Sequence, residues 1–500
     1  MKHRLEQAMW SKLFKLSARS QVNLQGQLRE QLVAAIMDGH ITVDNALPSS
    51  RELARQLGVA RNTVVLAYQH LVDEGFLITR ERRGYYVSRD ILKGRVRSEP
   101  GTGTANTNKI SSIDWDSRFR FRPSEQRNIV KPEHWDRFRY PFIYGQPDPT
   151  LIPVSDWREC ARQALSVDTI QETARDRVDA DDPMLIEQIH ARLLPRRGIW
   201  ASPDEILVTM GVQQGLYLLA SLLVSGRDVV GVEDPGYPDA RNIFARHTDH
   251  VTGLAVDAEG IVISQELAGC DYVYVTPSHQ SPTTVTLTTA RREQLLRRAR
   301  VDNFLIIEDD YEAETNFATD PTPALKASDQ SDRVVYLGSL SKTLAPGLRV
   351  GFMIGPPELI REARTLRRLM VRHPPANNQR LVALFLSLGH HDALINRLSQ
   401  SYRARWRVMG ESLKRYLAQT HRMPTFGGTS VWMQGPAELD ANELYERALK
   451  RSILIERGDI YFISPDPPRN YFRLGYSSIP VARIEPGIRE LATLLHKIVR

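Results

Sequence analysis

The stretch Tyr336-Leu-Gly-Ser-Leu-Ser-Lys342 places two serines and a lysine at the end of an apolar run, and Pro346-Gly-Leu-Arg349 follows it. A lysine after a strand can form a Schiff base with an aldehyde cofactor, and cationic neighbours would lower its pKa and favour this. Arg349 could grip a phosphate with two parallel hydrogen bonds. A single lysine is normally only solvated, so the interpretation depends on the rest of the chain.

Around this stretch, short apolar strands alternate with amphipathic helices from about residue 135 onward. This alternation is typical of an α/β domain. The strand candidates are Glu205–Thr209, Val229–Glu233, Tyr272–Thr276, Phe304–Glu308 and Val334–Leu337.

The strand candidate Phe304–Glu308 runs directly into Asp309, Asp310 and Tyr311. Acidic residues at the carboxyl end of such a strand point into the crevice where α/β proteins bind ligands. A carboxylate there could keep a pyridine nitrogen protonated, and a tyrosine hydroxyl could hydrogen-bond a ring oxygen. The alternative is that Asp309 or Asp310 caps a helix.

Three more turns and one strand carry candidate ligand contacts. Gly211, within Thr209–Leu216, allows close approach of the backbone at a helix N-terminus that favours phosphate, although an ordinary glycine turn is the alternative. Tyr237 could stack on a ring. Arg473 suits a carboxylate. His279 and Gln280 lie in a polar turn after a strand candidate.

Residues 24–88 have the pattern of a small helical unit with a short hairpin. Apolar periodicity predicts helices over Gln25–Met37 and Arg61–Glu74. A further helix starts at Ser49 or Ser50, either of which is a candidate N-cap, and ends at Gly58. Phe76–Ile78 and Tyr85–Val87 flank a basic turn. Tyr68 and Leu71 are expected in the core.

The two helices joined across Gly58 form a helix–turn–helix, and the hairpin forms a wing. In such units the second helix enters the major groove N-terminus first, where Arg reads guanine and Asn reads adenine. The alternative is a small domain that binds protein. The predicted DNA-contacting residues are Arg51, Arg61, Asn62, Thr63, Arg82 and Arg83.

The net positive charge of the chain is confined to its first 98 residues. Residues 1–98 hold 16 Lys or Arg and 9 Asp or Glu, which accounts for the whole net charge of +7. Basic charge on one small domain suggests a nucleic acid partner, although a solvated basic face is an equal alternative. Cys160 and Cys270 suggest no disulfide framework and fit a reducing cytoplasm. No apolar run is long enough to span a bilayer, so no membrane partner is expected, and no metal site is predicted.

The runs Leu47–Ala54 and Leu57–Val64, followed by Glu74-Gly75, closely resemble the GntR-type winged helix–turn–helix. This resemblance implies a DNA-binding domain over 17–88, and the polar composition after it predicts a flexible linker over 89–114. Residues 115–500 resemble a fold-type I aminotransferase. The whole chain is thus similar to the MocR/GabR regulators, which implies an α/β pyridoxal 5′-phosphate (PLP) domain preceded by a small winged helix–turn–helix domain.

The resemblance also implies roles for the candidate residues. Lys342 would anchor PLP, Asp309 would pair with its pyridine nitrogen, Tyr311 would contact its ring oxygen, Tyr237 would stack on its ring, and Arg473 would bind an effector carboxylate. The residues implied around the phosphate are Ser339, Ser341, Arg349, Gly211, Val212 and Gln213. His279 or Gln280 would lie near the ring. Two departures, Thr284 where glycine is usual and Glu314–Phe317 without the usual arginine, bear on fine geometry.

Three functions are therefore open. The chain is expected to be a regulator of transcription that senses a small amine or amino acid through PLP. The alternatives are a working aminotransferase with an added DNA-binding head, and a regulator that has lost PLP. Half of a transamination could itself be the signal. The resemblance further implies a homodimer, an operator in double-stranded DNA and RNA polymerase as a further candidate partner.

Overall fold

The computed structural model describes residues 10, 13–17, 22–43, 46–81, 83–92, 113–312, 314–317, 322–340, 342–418 and 427–499. They form two compact units that divide between Phe119 and Arg120. Arg82, Ser341 and the greater part of the predicted linker, residues 93–112, lie outside the described residues.

Among its described residues, the first unit has three α-helices with described bounds and a hairpin. They are α1 (Leu24–Met37), α2 (Ser50–Leu57), α3 (Arg61–Asp73), β1 (Leu77–Arg80) and β2 (Gly84–Val87). The N-cap of α2 is Ser49, whose hydroxyl accepts a hydrogen bond from the Glu52 amide at 3.2 Å. Gly58 ends α2 in the left-handed conformation at φ 66°, which glycine adopts without strain. The predicted helices and hairpin are confirmed within two residues.

The core of this unit is built from the apolar stripe of each helix. Leu28 and Leu32 of α1 and Val64 and Leu71 of α3 are fully buried. Tyr68 is also buried, and its hydroxyl donates a hydrogen bond to the Pro48 carbonyl at 3.0 Å. Tyr68 and Leu71 are therefore core residues, as expected.

The second unit is an α/β fold with several small additions. Its helices are α4 (Val154–Ala164), α5 (Val167–Thr173), α6 (Pro183–Gln188), α7 (Leu194–Arg196), α8 (Val212–Leu223), α9 (Pro238–Phe244), α10 (Thr289–Val301), α11 (Pro357–Val371), α12 (Ala376–Ser387), α13 (His390–Tyr416), α14 (Ala441–Leu449) and α15 (Val481–Val499). Its strands are β3 (Tyr140–Pro141), β4 (Ile206–Thr209), β5 (Val230–Asp234), β6 (Val251–Asp257), β7 (Gly260–Ile261), β8 (Tyr272–Val275), β9 (Leu305–Asp310), β10 (Val334–Ser339), β11 (Gly351–Ile354), β12 (Ser430–Gln434), β13 (Ile453–Leu454), β14 (Glu456–Arg457) and β15 (Tyr471–Gly475).

One large sheet organises the second unit. Its strand order is β4-β11-β10-β9-β8-β5-β6-β7, and the strands from β10 to β6 are parallel. All five predicted strands occur in it, each within two residues of its predicted end. Because the carboxyl ends of parallel strands meet at one edge, the loops after β5, β9 and β10 come together there.

Both faces of the large sheet are buried. In β9, Ile306 packs into the cluster that contains Leu295 of α10, whereas the next residue, Ile307, packs into the cluster that contains Leu216 of α8. Alternate side chains of a strand point to opposite faces, so helices cover the sheet on both sides. The expected α/β fold is confirmed.

A smaller antiparallel sheet, β12-β15-β14, lies near the C-terminus. Its apolar residues, such as Val431 and Leu474, join α13 and α15 in a third cluster. Glu456 of β14 lies directly opposite Arg473 of β15 in the register of this sheet. Of the helices that the structure describes, none has the length and apolar character needed to cross a bilayer.

Candidate functional site

A cavity of about 200 Å³ lies where the loops after β9 and β10 meet the N-terminus of α8. It is lined by nine of the predicted site residues, namely Val212, Gln213, Tyr237, Asp309, Tyr311, Ser339, Lys342, Arg349 and Arg473. These residues span more than half of the chain, and the fold brings them into one place. Ser341 lies outside the described residues.

Lys342 lies three residues after the end of β10 and its amino group faces aromatic rings. Its Nζ is 4.6 Å from the ring centre of Tyr144 and 6.0 Å from that of Tyr311. Burial lowers the pKa of Lys342, and the nearby Glu312 carboxylate opposes this shift. A lowered pKa increases the fraction of neutral amine, which is the form that attacks an aldehyde carbon.

Asp309 and Asp310 are the last two residues of β9, so the alternative that they cap a helix is wrong. Asp309 Oδ2 accepts a hydrogen bond from the Tyr274 hydroxyl at 2.7 Å. Its other oxygen, Oδ1, is buried and has no hydrogen-bond partner among the described residues. Burial raises the pKa of Asp309 to about 7. The carboxylate therefore lacks a positively charged donor on the side of its free oxygen.

Asp310 faces the opposite side of the strand and belongs to a structural network. Its Oδ2 lies 2.7 Å from Arg197 Nε and accepts a hydrogen bond from the Tyr336 hydroxyl at 2.8 Å. Arg197 also donates to the Ser278 hydroxyl at 2.8 Å. Neighbouring carboxylates of one strand thus have different surroundings, because alternate side chains point to opposite faces.

Gly211 is the N-cap of α8 and has φ 78°, a conformation that L-residues rarely adopt. A Cβ atom at this position would lie 2.7 Å from an Arg349 guanidinium nitrogen. Arg349 Nη2 also donates to the Met210 carbonyl at 3.2 Å. A guanidinium and the free amides at the start of α8 therefore face the same space, which suits a phosphate group.

Tyr237 and Tyr311 supply the aromatic surfaces of the cavity. The Tyr237 hydroxyl donates to Asp239 Oδ2 at 3.0 Å, which fixes the ring. Burial raises the pKa of both tyrosines well above the usual value, so both keep their hydroxyl protons at neutral pH.

His279 and Gln280 do not line the cavity. The Gln280 amide nitrogen donates to the Pro235 carbonyl at 2.8 Å, and its oxygen accepts from the Thr283 hydroxyl at 2.6 Å. His279 packs edge-on against the Tyr311 ring at 6.2 Å, with Nε2 3.1 Å from Glu312. Gln280 thus stabilises a turn, and His279 packs against the Tyr311 ring without lining the cavity.

Arg473 reaches the cavity but is already ion-paired. Its Nε and Nη2 lie 2.7 Å and 2.6 Å from the same Glu456 oxygen, and both residues are buried. Its guanidinium also stacks on the rings of Tyr144 and Tyr461, at 3.8 Å and 4.9 Å. The positive charge predicted to bind a carboxylate is therefore largely compensated by the protein itself.

The sequence interpretation missed five cavity residues that belong to the N-terminal part of this unit. They are Ile129, Lys131, Tyr144, Gly145 and Gln146. The run Tyr144-Gly-Gln-Pro147 carries the glycine and proline of a turn after an apolar stretch, which is a usable signal. Lys131 carries no comparable signal, because a lysine before a proline is unremarkable in any loop.

In the first unit, Arg61 and Asn62 occupy the first turn of α3 and are exposed, and Thr63 follows them half-buried. Arg51 lies exposed in the first turn of α2, and Arg83 is exposed at the turn between β1 and β2. Arg82 lies outside the described residues. The described residues of the predicted DNA-contacting set are thus carried by α2, the start of α3 and the hairpin turn of one compact unit.

Comparison with known proteins finds a matching family for each unit. Residues 24–87 match the family described as bacterial regulatory proteins, gntR family, and residues 148–491 match aminotransferase class I and II. The HTH-type transcriptional regulator TauR of Rhodobacter capsulatus is 41% identical, covering 96% of this chain and 98% of that protein. The probable rhizopine catabolism regulatory protein MocR of Rhizobium meliloti is 29% identical, covering 95% and 94%.

Among solved structures, LysN, an α-aminoadipate aminotransferase from Thermus thermophilus complexed with N-(5′-phosphopyridoxyl)-L-leucine, superposes with a TM-score of 0.68. It is 26% identical and covers 77% of this chain and 99% of its own. This likeness covers 77% of the chain, whereas the likeness to the two regulators covers 95% or more of it. The chain therefore belongs to the MocR-type family of transcriptional regulators, in which a GntR-type helix–turn–helix head precedes an aminotransferase class I and II domain.

Proposed function

We propose that this regulator binds PLP in the cavity around Lys342 and uses it to sense a small amine or amino acid. In this proposal the protein is a cytoplasmic homodimer that binds an operator in double-stranded DNA. The observation that carries the proposal is the unpaired, buried oxygen of Asp309 in the same cavity as Lys342 and Arg349. RNA polymerase is a further candidate partner. The homodimer rests on the resemblance to related regulators.

The residues of the cavity fit PLP. Asp309 Oδ1 is a buried acceptor among the described residues that lacks a donor, and a protonated pyridine nitrogen supplies one. Arg349, beside Gly211 and the start of α8, offers a cation and backbone amides to a phosphate. The pyridine ring would pack against Tyr237, and the proposed phosphate contacts also include Ser339, Ser341, Val212 and Gln213.

Each of these side chains then has a defined task. Bound PLP supplies an aldehyde carbon that reacts with amines and a ring that withdraws electrons. Asp309 would hold the proton on the pyridine nitrogen, and the Tyr311 hydroxyl would donate to the ring oxygen. Lys342 provides the neutral amine for covalent attachment, because burial lowers its pKa. An effector amine would take the place of Lys342 in the cavity, and this is how the site would sense it.

The test is to map the cofactor on the full-length protein. Purified protein should absorb visible light as a PLP protein does, and borohydride should fix the cofactor to Lys342, as peptide mapping would show. Lys342→Ala should abolish the covalent link while the fold is kept. Absence of PLP from protein refolded with excess cofactor, or an adduct on Lys131, would contradict the assignment.

A working aminotransferase with a DNA-binding head is the second candidate. The observation that favours it is that eight of the residues proposed to hold PLP line one cavity. Incubation with an amino acid and an excess of a 2-oxo acid separates the two candidates. A sensor should give at most one turnover per site and change its DNA binding, whereas an enzyme should give many turnovers with DNA binding unchanged.

A further inference from the structure

The cavity around Lys342 holds four cationic side chains, those of Lys131, Lys342, Arg349 and Arg473. Under the proposed function, on which the following argument rests, Lys342 attaches the cofactor and Arg349 meets its phosphate. The remaining two, Lys131 and Arg473, are the candidates for binding the acid group of an effector that carries one.

Arg473 is poorly suited to this task. Two of its nitrogens contact one Glu456 oxygen at 2.6 and 2.7 Å, and the pair is buried between the rings of Tyr144 and Tyr461. The antiparallel register of β14 and β15 sets the two residues directly opposite each other. An acid group that took Arg473 from Glu456 would leave a buried carboxylate without its partner, which is costly.

Lys131 has no such partner. Its Nζ donates to the Tyr144 carbonyl at 2.8 Å, and no carboxylate of the described residues forms an ion pair with it. The two carboxylates that attract it are engaged elsewhere, Glu456 by Arg473 and Asp239 by the hydroxyl of Tyr237. Burial and the charge of Lys342 lower the pKa of Lys131 to about 8. An anion is therefore the group that this part of the cavity lacks.

Lys131 also lies close to the reacting position. A Cβ atom built on Gly145 would be 3.0 Å from Lys342 Nζ and 3.2 Å from Lys131 Nζ, so the two amino groups lie close to the same point beside this glycine. Gly145 has φ 69°, so a side chain there would strain the backbone and would also crowd the two amino groups. An effector amine that takes the place of Lys342 Nζ thus finds the ammonium group of Lys131 a few ångströms away.

We propose that Lys131 binds the acid group of the effector, and that the effector is a small amino acid in which only one or two carbon atoms separate the amine from the acid group. Arg473, ion-paired with Glu456, then lines the cavity and stacks on the Tyr144 ring without binding the effector. The short spacer follows from the closeness of the Lys131 and Lys342 amino groups to the same point beside Gly145.

The experiment compares acids with matched amines that lack the acid group. The absorbance of bound PLP in the full-length protein is titrated with β-alanine and n-propylamine, and with glycine and ethylamine, at one pH. Wild type should prefer each amino acid over its matched amine. In Lys131→Gln the ratio of amino-acid affinity to amine affinity should fall by about 10- to 100-fold, the contribution expected of one charge-assisted hydrogen bond. Its affinity for the plain amines should stay within about twofold of wild type.

Two further variants complete the test. Lys131→Arg keeps the charge and should keep the preference, and Lys131→Met is a second neutral variant whose unbranched side chain fills similar space. An unchanged preference in both neutral variants would overturn the proposal and assign the acid group to Arg473. Equal losses for acids and amines in folded Lys131→Gln would also overturn it. Wild type without PLP absorbance would instead overturn the proposed function and this inference with it.

Discussion

At the scale of single residues, Asp309 and Asp310 show how neighbours in one strand acquire different tasks. Asp309→Asn removes the charge proposed to pair with the pyridine nitrogen, so we expect PLP affinity to fall by about 10- to 100-fold with little loss of stability. Asp310→Asn breaks the buried pair with Arg197, so the free energy of unfolding should fall by about 3–5 kcal/mol. PLP titration and urea unfolding of both variants check this. The same phenotype in both would contradict the separation of roles.

The raised pKa of Asp309 predicts a dependence of stability on pH. Burial raises this pKa to about 7 in the folded protein, from about 3.9 in an unfolded chain. Between these values the folded state keeps a proton that the unfolded state has released, so this contribution to stability falls as pH rises. Cofactor-free wild type should therefore lose stability relative to cofactor-free Asp309→Asn from pH 4 to pH 7. Urea unfolding of both proteins at several pH values measures their free energies of unfolding. A wild type that gains stability relative to Asp309→Asn as pH rises would refute the prediction.

At the scale of secondary-structure elements, the start of α8 depends on Gly211. Gly211→Ala would be strained by about 1 kcal/mol or more at φ 78°. Its Cβ would also collide with the Arg349 guanidinium at 2.7 Å. We expect weaker binding of PLP, measured by equilibrium dialysis. Gly226→Ala is the matched control, because a Cβ there meets no atom within 4 Å, and it should bind PLP as wild type does.

Helix α3 is expected to read the operator through its first turn. Arg61 is exposed there, and losing one bidentate contact to a base costs about 1–3 kcal/mol. Arg61→Ala should therefore weaken binding to the operator more than to random duplex in a fluorescence anisotropy assay. The control is Arg55→Ala on α2, where Arg55 is exposed and pairs with Glu52; it should affect both duplexes alike. Equal weakening of both by Arg61→Ala would restrict Arg61 to phosphate contact.

At the scale of the whole molecule, the effector site and the DNA-binding unit must be thermodynamically coupled if the protein is a sensor. An effector that changes operator affinity must itself bind free and operator-bound protein with different affinity, by the same factor. We expect a coupling of about 1–3 kcal/mol, measured as the change in operator affinity with saturating β-alanine. Lys342→Ala should reduce the coupling to near zero. Coupling that survives in this variant would place the sensor outside the PLP site.

The sequence by itself determined the two units, the helix–turn–helix with its hairpin, and the five main strands of the large sheet. These depend on local signals: apolar spacing, the cap at Ser49 and the left-handed glycine at Gly58. Nine of the predicted site residues line one cavity, and the motifs that carried most of them end strands or begin a helix. Tertiary structure alone decided the charge balance of the cavity. Glu456 neutralises Arg473 only because β14 and β15 pair in one register. The amino groups of Lys131 and Lys342, 211 positions apart in sequence, come close to the same point beside Gly145 only because the chain folds that way. Such contacts depend on distance in space, and spacing along a chain carries no record of it.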